Sequence, residues 1–238
     1  AKALHKADAF GVARIDEALG LRASGVVKPI VLLEGFFSKT DLPILAVNNL
    51  QTVVHNQEQL DAILNASLEK PLKVWLKVDT GMHRLGVNPE EFVAFYQALS
   101  TSKNVQRPIV LMSHLACADE ENNANTHKQI TLFEKLTETF KEEKSLANSA
   151  AIFAWPQTHN QWVRPGLSLY GVSPMMQSSN PPIEENNQTI KPVMTLQSSV
   201  IAIRNIGVNE AVGYGAAWVS EKPTTIGAVS YTHLTLPT

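Results

Sequence analysis

Seven short apolar runs, each followed by a stretch with helical spacing or with room for one, limit the folds open to this chain. They fall at residues 10–14, 29–35, 52–56, 72–79, 108–114, 147–153 and 166–172. Between them, Leu60, Ile63 and Leu64 keep helical spacing, as do Phe92, Val93, Tyr96 and Leu99, and then Ile130, Phe133, Leu136 and Phe140. Each set lays one apolar stripe on a helix. Asp16 is placed to cap a first helix holding Ala18, Leu19 and Leu21, residues 39–46 suit a short second one, and Pro89 sits near the start of another. Strands that alternate with helices pair in parallel, and a run as apolar as Pro29-Ile30-Val31-Leu32-Leu33 suits a strand covered on both faces.

The runs end in polar groups: Glu34-Gly35, His55-Asn56, Asp79-Thr80, His114 and Tyr170-Gly171. Functional groups at strand C-termini all the way round are the mark of a (β/α)₈ barrel. The expected class is therefore α/β, a TIM barrel whose first strand lies upstream of Ala1, because seven strands are one short of eight. The opening residues, without Met and running straight into Gly11-Val12-Ala13-Arg14, read as the interior of a helix–strand unit. A doubly wound open sheet competes, but no GxGxxG follows any strand, so a dinucleotide crevice has no support.

The most informative stretch is Trp75-Leu76-Lys77-Val78-Asp79-Thr80-Gly81-Met82-His83-Arg84-Leu85-Gly86. Strand alternation points Val74, Leu76 and Val78 one way and Trp75, Lys77 and Asp79 the other. The strand stops at Thr80-Gly81, and the turn beyond carries His83 and Arg84. An edge strand with one solvated face would read similarly; in a barrel, this pattern puts charge where the chemistry is kept.

Composition changes at Ser173. Prolines at 174, 181, 182 and 192 punctuate a polar stretch with Asn186-Asn187-Gln188, as in a linker or a long excursion. Residues 193–203 then alternate loosely, residues 211–219 follow a turn at 207–210, and residues 225–229 are strand-like, as at the start of an all-β domain. The expected organisation is a barrel domain over 1–188, the beginning of a C-terminal β domain over 189–229, and a separate tail over 230–238.

A net charge of −2 gives no electrostatic case for nucleic acid, and no basic and aromatic residues interleave as single-strand binding requires. There is no P-loop. No apolar run is long enough to span a bilayer, and no basic-then-apolar leader opens the sequence. The lone Cys117 cannot form an internal disulfide, which suits a reducing, cytoplasmic setting. His55, His83 and His114 lack ligand spacing, so no metal site is expected. Three candidates remain. His114 either caps its strand or offers a flat ring at the barrel mouth. Arg164, with Asn148, Ser149, Gly166 and Leu167, surrounds the last two strands, where barrels often bind phosphate. Tyr214 stands between Gly213 and Gly215, open to close approach by another backbone or a ligand, or simply a turn tyrosine.

Several ordered motifs carry a resemblance. Val78-Asp79-Thr80-Gly81-Met82-His83-Arg84-Leu85-Gly86, Ser113-His114-Leu115-Ala116-Cys117-Ala118-Asp119-Glu120, Trp162-Val163-Arg164-Pro165-Gly166 and Val212-Gly213-Tyr214-Gly215-Ala216 together resemble the alanine racemases of proteobacteria. Residues 8–14 and 32–37 agree with this, and the resemblance runs to about Gly227. It implies a pyridoxal-phosphate enzyme with an N-terminal barrel and a C-terminal β domain. Such an enzyme interconverts L- and D-alanine for peptidoglycan and is a homodimer whose sites combine the barrel of one subunit with the β domain of the other. By the same resemblance Lys77 is the lysine that becomes carbamylated and holds Arg84, and Arg84 bonds the cofactor's phenolic oxygen. His114 packs on the pyridine ring and Arg164 meets the pyridine nitrogen. Ser149 and the amides of Gly166 and Leu167 cradle the phosphate, and Tyr214 exchanges the Cα proton.

There are departures. The family's lysine that anchors the cofactor and acts as the second base lies in a Lys-Ala-Asn-Ala-Tyr-Gly-like motif, and neither Lys2-Ala3-Leu4 nor Lys28-Pro29 matches it. The tyrosine four residues beyond that lysine is also without a counterpart. From about Ala228 the sequence leaves the family pattern, and most of the β domain, with its Met-Asp segment, is not represented. The expectation is an internal fragment, inactive for want of its anchor. A non-catalytic pyridoxal-phosphate-binding barrel, or a fragment that associates with a full-length racemase, are the alternatives.

Overall fold

A computed structural model of the chain describes residues 1–175, 184–185, 188–195 and 198–229. The chain divides into two compact units, Ala1–Lys191 and Pro192–Thr238.

The first unit holds strands β1 (Phe10–Val12), β2 (Ile30–Leu32), β3 (Leu50–Val54), β4 (Leu72–Lys77), β5 (Val105–Met112), β6 (Glu143–Asn148) and β7 (Trp162–Arg164). Helices α1 (Ile15–Ala23), α2 (Asp41–Val47), α3 (Gln57–Leu64), α4 (Phe92–Thr101), α5 (Ala124–Thr137) and α6 (Ser149–Ala154) follow the first six strands, α4 and α5 after loops. The strands join in chain order, every neighbouring pair parallel. β1 and β7 form the two edges. β4 lies between β3 and β5, so it is not an edge strand.

The sheet is curled. β4 and β7 are three positions apart, roughly 14 Å in a flat sheet, yet the Trp75 and Trp162 ring centroids are 5.3 Å apart. Those rings join Val31, Val53, Val110, Met112 and Leu33 in an inner cluster drawn from strands on opposite walls. The outer face carries the larger core. Ile30, Leu32, Val54, Val74, Leu76, Ile109 and Leu111 meet Leu45, Ile63, Phe92, Leu99 and Phe133 of the helices. The architecture is a seven-stranded parallel barrel with one seam, and β4 divides its faces as alternation predicts: Val74, Leu76 and Val78 outward to the helices, Trp75 inward.

Three local expectations are corrected. Helix α1 starts after Arg14, not Asp16. The Glu17 carboxylate accepts the Ala13 and Arg14 amides at 2.8 and 2.9 Å, while Asp16 pairs with the Arg14 side chain. The sixth strand ends at Asn148 instead of running over 147–153, because the Asn148 side chain accepts the Ala151 amide at 3.0 Å and turns the chain into α6. The seventh strand is Trp162–Arg164, and Leu167–Tyr170 is a 3₁₀ turn where a strand over 166–172 was expected.

In the second unit Val200–Ile206 pairs antiparallel with Thr224–Val229, and Ala211–Val212 with Trp218–Val219. Ser220, fully buried, accepts the Glu210 amide at 3.0 Å and donates to Gly207 O at 2.5 Å, closing the loop between those pairs. Most of the linker expected over 173–188, and the tail over 230–238, lie outside the described residues.

Candidate active site

β4 delivers Lys77 at its C-terminal end, on the inner face shared with Trp75. Only 5 % of Lys77 is exposed. Burial, then the charges of Arg164 and Arg84, lower its amine to about 8, against the opposing pull of Asp79 and Glu34.

Beyond β4 the chain makes a tight turn around one carboxylate. Asp79 Oδ1 accepts the amides of Gly81, Met82 and His83 at 2.9, 3.1 and 3.1 Å, and Oδ2 meets the His83 ring at 3.1 Å. Burial alone would raise the Asp79 carboxyl; the Gly81 and His83 amides and the His83 ring outweigh it and hold the group below its usual range. The chain then doubles back, Val87 donating to Lys77 O and Asp79 to Val87 O, both at 2.9 Å. Gly86 is required there: its φ is 148°, and a Cβ would lie 2.7 Å from the Val78 carbonyl carbon. Arg84, exposed, rides on this turn.

Arg164 closes β7. Its guanidinium donates to Ser145 Oγ, to Ser113 O at 2.7 Å, to Leu146 O at 3.2 Å and to His114 Nδ1 at 3.3 Å. A guanidinium only donates, so Nδ1 accepts and the neutral ring carries its proton on Nε2. Burial, then the charges of Arg164, Lys77 and Arg84, push His114 down to about 3. Burial lowers Arg164 to about 10, which leaves it charged at neutral pH. His114 lies two residues past the end of β5, not at it. His55 joins the same mouth. Its Nε2 lies 2.9 Å from Glu34 O, and its pKa is lowered chiefly by burial, with Lys77 contributing.

Ser149 and the 166–168 loop meet at the ends of neighbouring strands β6 and β7. Ser149 Oγ accepts the Ser168 amide at 3.3 Å and lies 3.3 Å from its hydroxyl. A Cβ at Gly166 would meet nothing within 4 Å, and Leu167 is half-exposed. Asn148 is used structurally, capping α6 and donating to Leu115 O at 3.2 Å. No role for Ser168 or Ser145 was legible in the sequence, and Ser113 stood there only as part of a motif; serines carry no periodicity signal, and only the curled sheet brings them beside Arg164 and Ser149. Tyr214 is fully exposed in the second unit, between Gly213 at φ 76° and Gly215 at φ 70°.

Among the described residues, no three His, Cys, Asp or Glu side chains gather closely enough to hold a metal ion, and no helix is long and apolar enough to cross a membrane.

Curled parallel strands with a lysine, two arginines and a neutral imidazole at their C-terminal ends define an α/β-barrel protein of the class that keeps its ligand site at that mouth. Residues 1–174 match the alanine racemase N-terminal domain and residues 193–232 the alanine racemase C-terminal domain. The chain belongs to the alanine racemase family. It is 55 % identical over 224 residues to the alanine racemase of Vibrio vulnificus (strain CMCP6), covering 94 % of this chain and 61 % of that protein. Against the alanine racemase of Edwardsiella ictaluri (strain 93-146) the identity is 50 % over 230 residues, covering 97 % and 62 %. Its fold superposes on the biosynthetic alanine racemase of Pseudomonas aeruginosa with a TM-score of 0.82 at 40 % identity, covering 96 % of this chain and 63 % of that one. The chain thus spans about three fifths of the length of these relatives.

Proposed function

We propose that this chain carries the pyridoxal-phosphate site of an alanine racemase, an isomerase that interconverts L- and D-alanine and supplies D-alanine for peptidoglycan. The observation that carries this is an excess of positive charge at the mouth, where the Arg164 guanidinium donates only to neutral acceptors, Ser145 Oγ, Ser113 O, Leu146 O and His114 Nδ1. Lys77, Arg84 and Arg164 all act on one another or on His114, and only Asp79 and Glu34 pull Lys77 the other way. Such a site suits a flat, anionic ligand.

The donor set fits pyridoxal phosphate. Ser149 with the amides of Gly166 and Leu167 would hold the phosphate, the His114 ring would lie against the pyridine, Arg164 would meet the pyridine nitrogen and Arg84 the phenolic oxygen. When bound, the cofactor supplies an electron sink that acidifies the Cα–H of the amino acid. Arg164 does not give up a proton near neutral pH, so as a donor to the ring nitrogen it would leave that nitrogen uncharged. Lys77, lowered to about 8, keeps a neutral fraction able to take up carbon dioxide, losing a proton and gaining a carbamate that would hold Arg84. Tyr214, exposed at the apex of its glycine turn, would take or return the Cα proton on one face of the substrate in a second subunit of a homodimer. The setting is cytoplasmic, where alanine is at hand.

No lysine of this sequence stands in the family's anchoring motif. The chain is therefore expected to bind pyridoxal phosphate without racemising alanine. Titration with pyridoxal phosphate, followed by quenching of Trp75 and Trp162 fluorescence, tests the site. Saturable quenching with no D-alanine formed from L-alanine is the expected result. Absence of saturable binding overturns the site, and steady D-alanine production overturns the inactivity.

A further inference from the structure

The Gln129 side chain sits on a helix but makes its hydrogen bonds to residues outside it. It is 2 % exposed on α5. Its amide oxygen accepts the Ala116 N–H at 2.9 Å, and its amide nitrogen donates to His114 O at 3.0 Å and to Thr80 Oγ1 at 3.4 Å. The last bond opens a one-way relay. Ser113 Oγ donates to Val78 O at 2.8 Å, so Thr80 Oγ1, 2.8 Å from Ser113 Oγ, is the donor in that pair. Gln129 therefore ties the loop after β5, which carries His114, to the turn after β4, which carries Arg84. A Cβ at Gly81 would lie 3.4 Å from Gln129 Cγ, so the turn runs beside the Gln129 stem with little room for a larger residue.

Packing alone does not call for an amide here. An apolar side chain of the same volume would fill the space under the loops, and a buried primary amide is costly unless its groups are all paired. Gln59 repeats the device two strands earlier, from α3. It accepts the His55 amide at 3.0 Å and donates to Glu34 O and Phe36 O at 3.3 and 3.1 Å, over a Gly35 at φ 77°. At the other end of the barrel Asn104, also 2 % exposed, donates to Ile63 O and Ala66 O, both at 2.8 Å. It touches neither loop.

We infer that Gln129 is a positioning residue: it locks the His114 loop to the Arg84 turn, so that ring and guanidinium meet the ligand as one rigid unit. The ligand's identity rests on the pyridoxal-phosphate reading; the lock does not.

The test uses the 238-residue chain with Gln129→Met, with Gln129→Glu as a second variant that keeps the acceptor, and with Asn104→Leu as the control for lost stability. Two quantities are read: the ¹⁵N signals of the His114 ring without cofactor, and the dissociation constant for pyridoxal phosphate. Gln129→Met is expected to move the His114 Nδ1 signal and to weaken pyridoxal phosphate roughly tenfold, the scale of a lost supporting hydrogen bond. Asn104→Leu, matched for its fall in thermal midpoint, is expected to leave the signal in place. Unmoved His114 signals in both Gln129 variants, or an equal movement in Asn104→Leu, overturn the inference. If the unaltered chain takes up no pyridoxal phosphate, the cofactor reading fails, and the His114 signals still decide the positioning role.

Discussion

The two ends of the barrel use the same residue types in opposite ways. At the N-terminal end, Glu142 accepts from Tyr96 Oη at 2.5 Å and from Arg107 at 2.8 Å, and Trp162 Nε1 donates to Glu143 at 2.8 Å. Lys73 donates to Pro108 O, and Glu143 and Glu142 offset part of the effect of its burial. Cations and carboxylates there are matched. At the C-terminal end three cations, Lys77, Arg84 and Arg164, crowd a neutral His114 against two carboxylates, Asp79 and Glu34, so positive charge is in excess. A matched network holds the fold together, whereas an unmatched one costs stability and persists where a ligand completes it.

The sharpest break of this contrast is Arg164→Ala. It strips donors from Ser113 O, Leu146 O and Ser145, and a cost of about 3 kcal/mol is expected in urea unfolding. Binding of pyridoxal phosphate should collapse, and the His114 ring should titrate above about 3 once its strongest cationic neighbour is gone, while burial, the larger cause, still holds it below its ordinary value. Next is Lys77→Met. The folded amine sits at about 8 against 10.5 ordinarily. Between those values the unfolded chain binds more protons, so stability of the unaltered protein rises with pH there, and below about 8 the full penalty applies. Lys77→Met should stabilise the fold at neutral pH by about 2 kcal/mol and flatten the alkaline rise; a loss of stability would mean the mouth is as well matched as the other end. The smallest effect is expected from Glu142→Gln. It weakens the bonds to Tyr96 and Arg107 and should cost about 1 kcal/mol, with the affinity for pyridoxal phosphate unchanged. A matching loss of affinity would show that the two ends are not independent.

Much of the barrel was legible because its signals are local. Apolar runs and three-to-four spacing report strands and helices directly, and alternation alone assigned Trp75 and Lys77 to one face and Val74, Leu76 and Val78 to the other. The last two strands were misplaced for a local reason of another kind. A single side-chain bond from Asn148 starts α6, and apolar Leu167 and Leu169 sit in a 3₁₀ turn where hydropathy suggests a strand.

The class of fold, the order of the strands and the motifs that place the chain among alanine racemases all follow from residues close together in the chain. Which charges are matched and which are not, and the reach of Gln129 from α5 to two loops at once, follow from the folded arrangement alone. Those facts depend on the sheet curling until β4, β5 and β7 face a common interior: desolvation and the balance of charge at Lys77, His114 and Arg164 arise only when strands distant in sequence share one low-dielectric space.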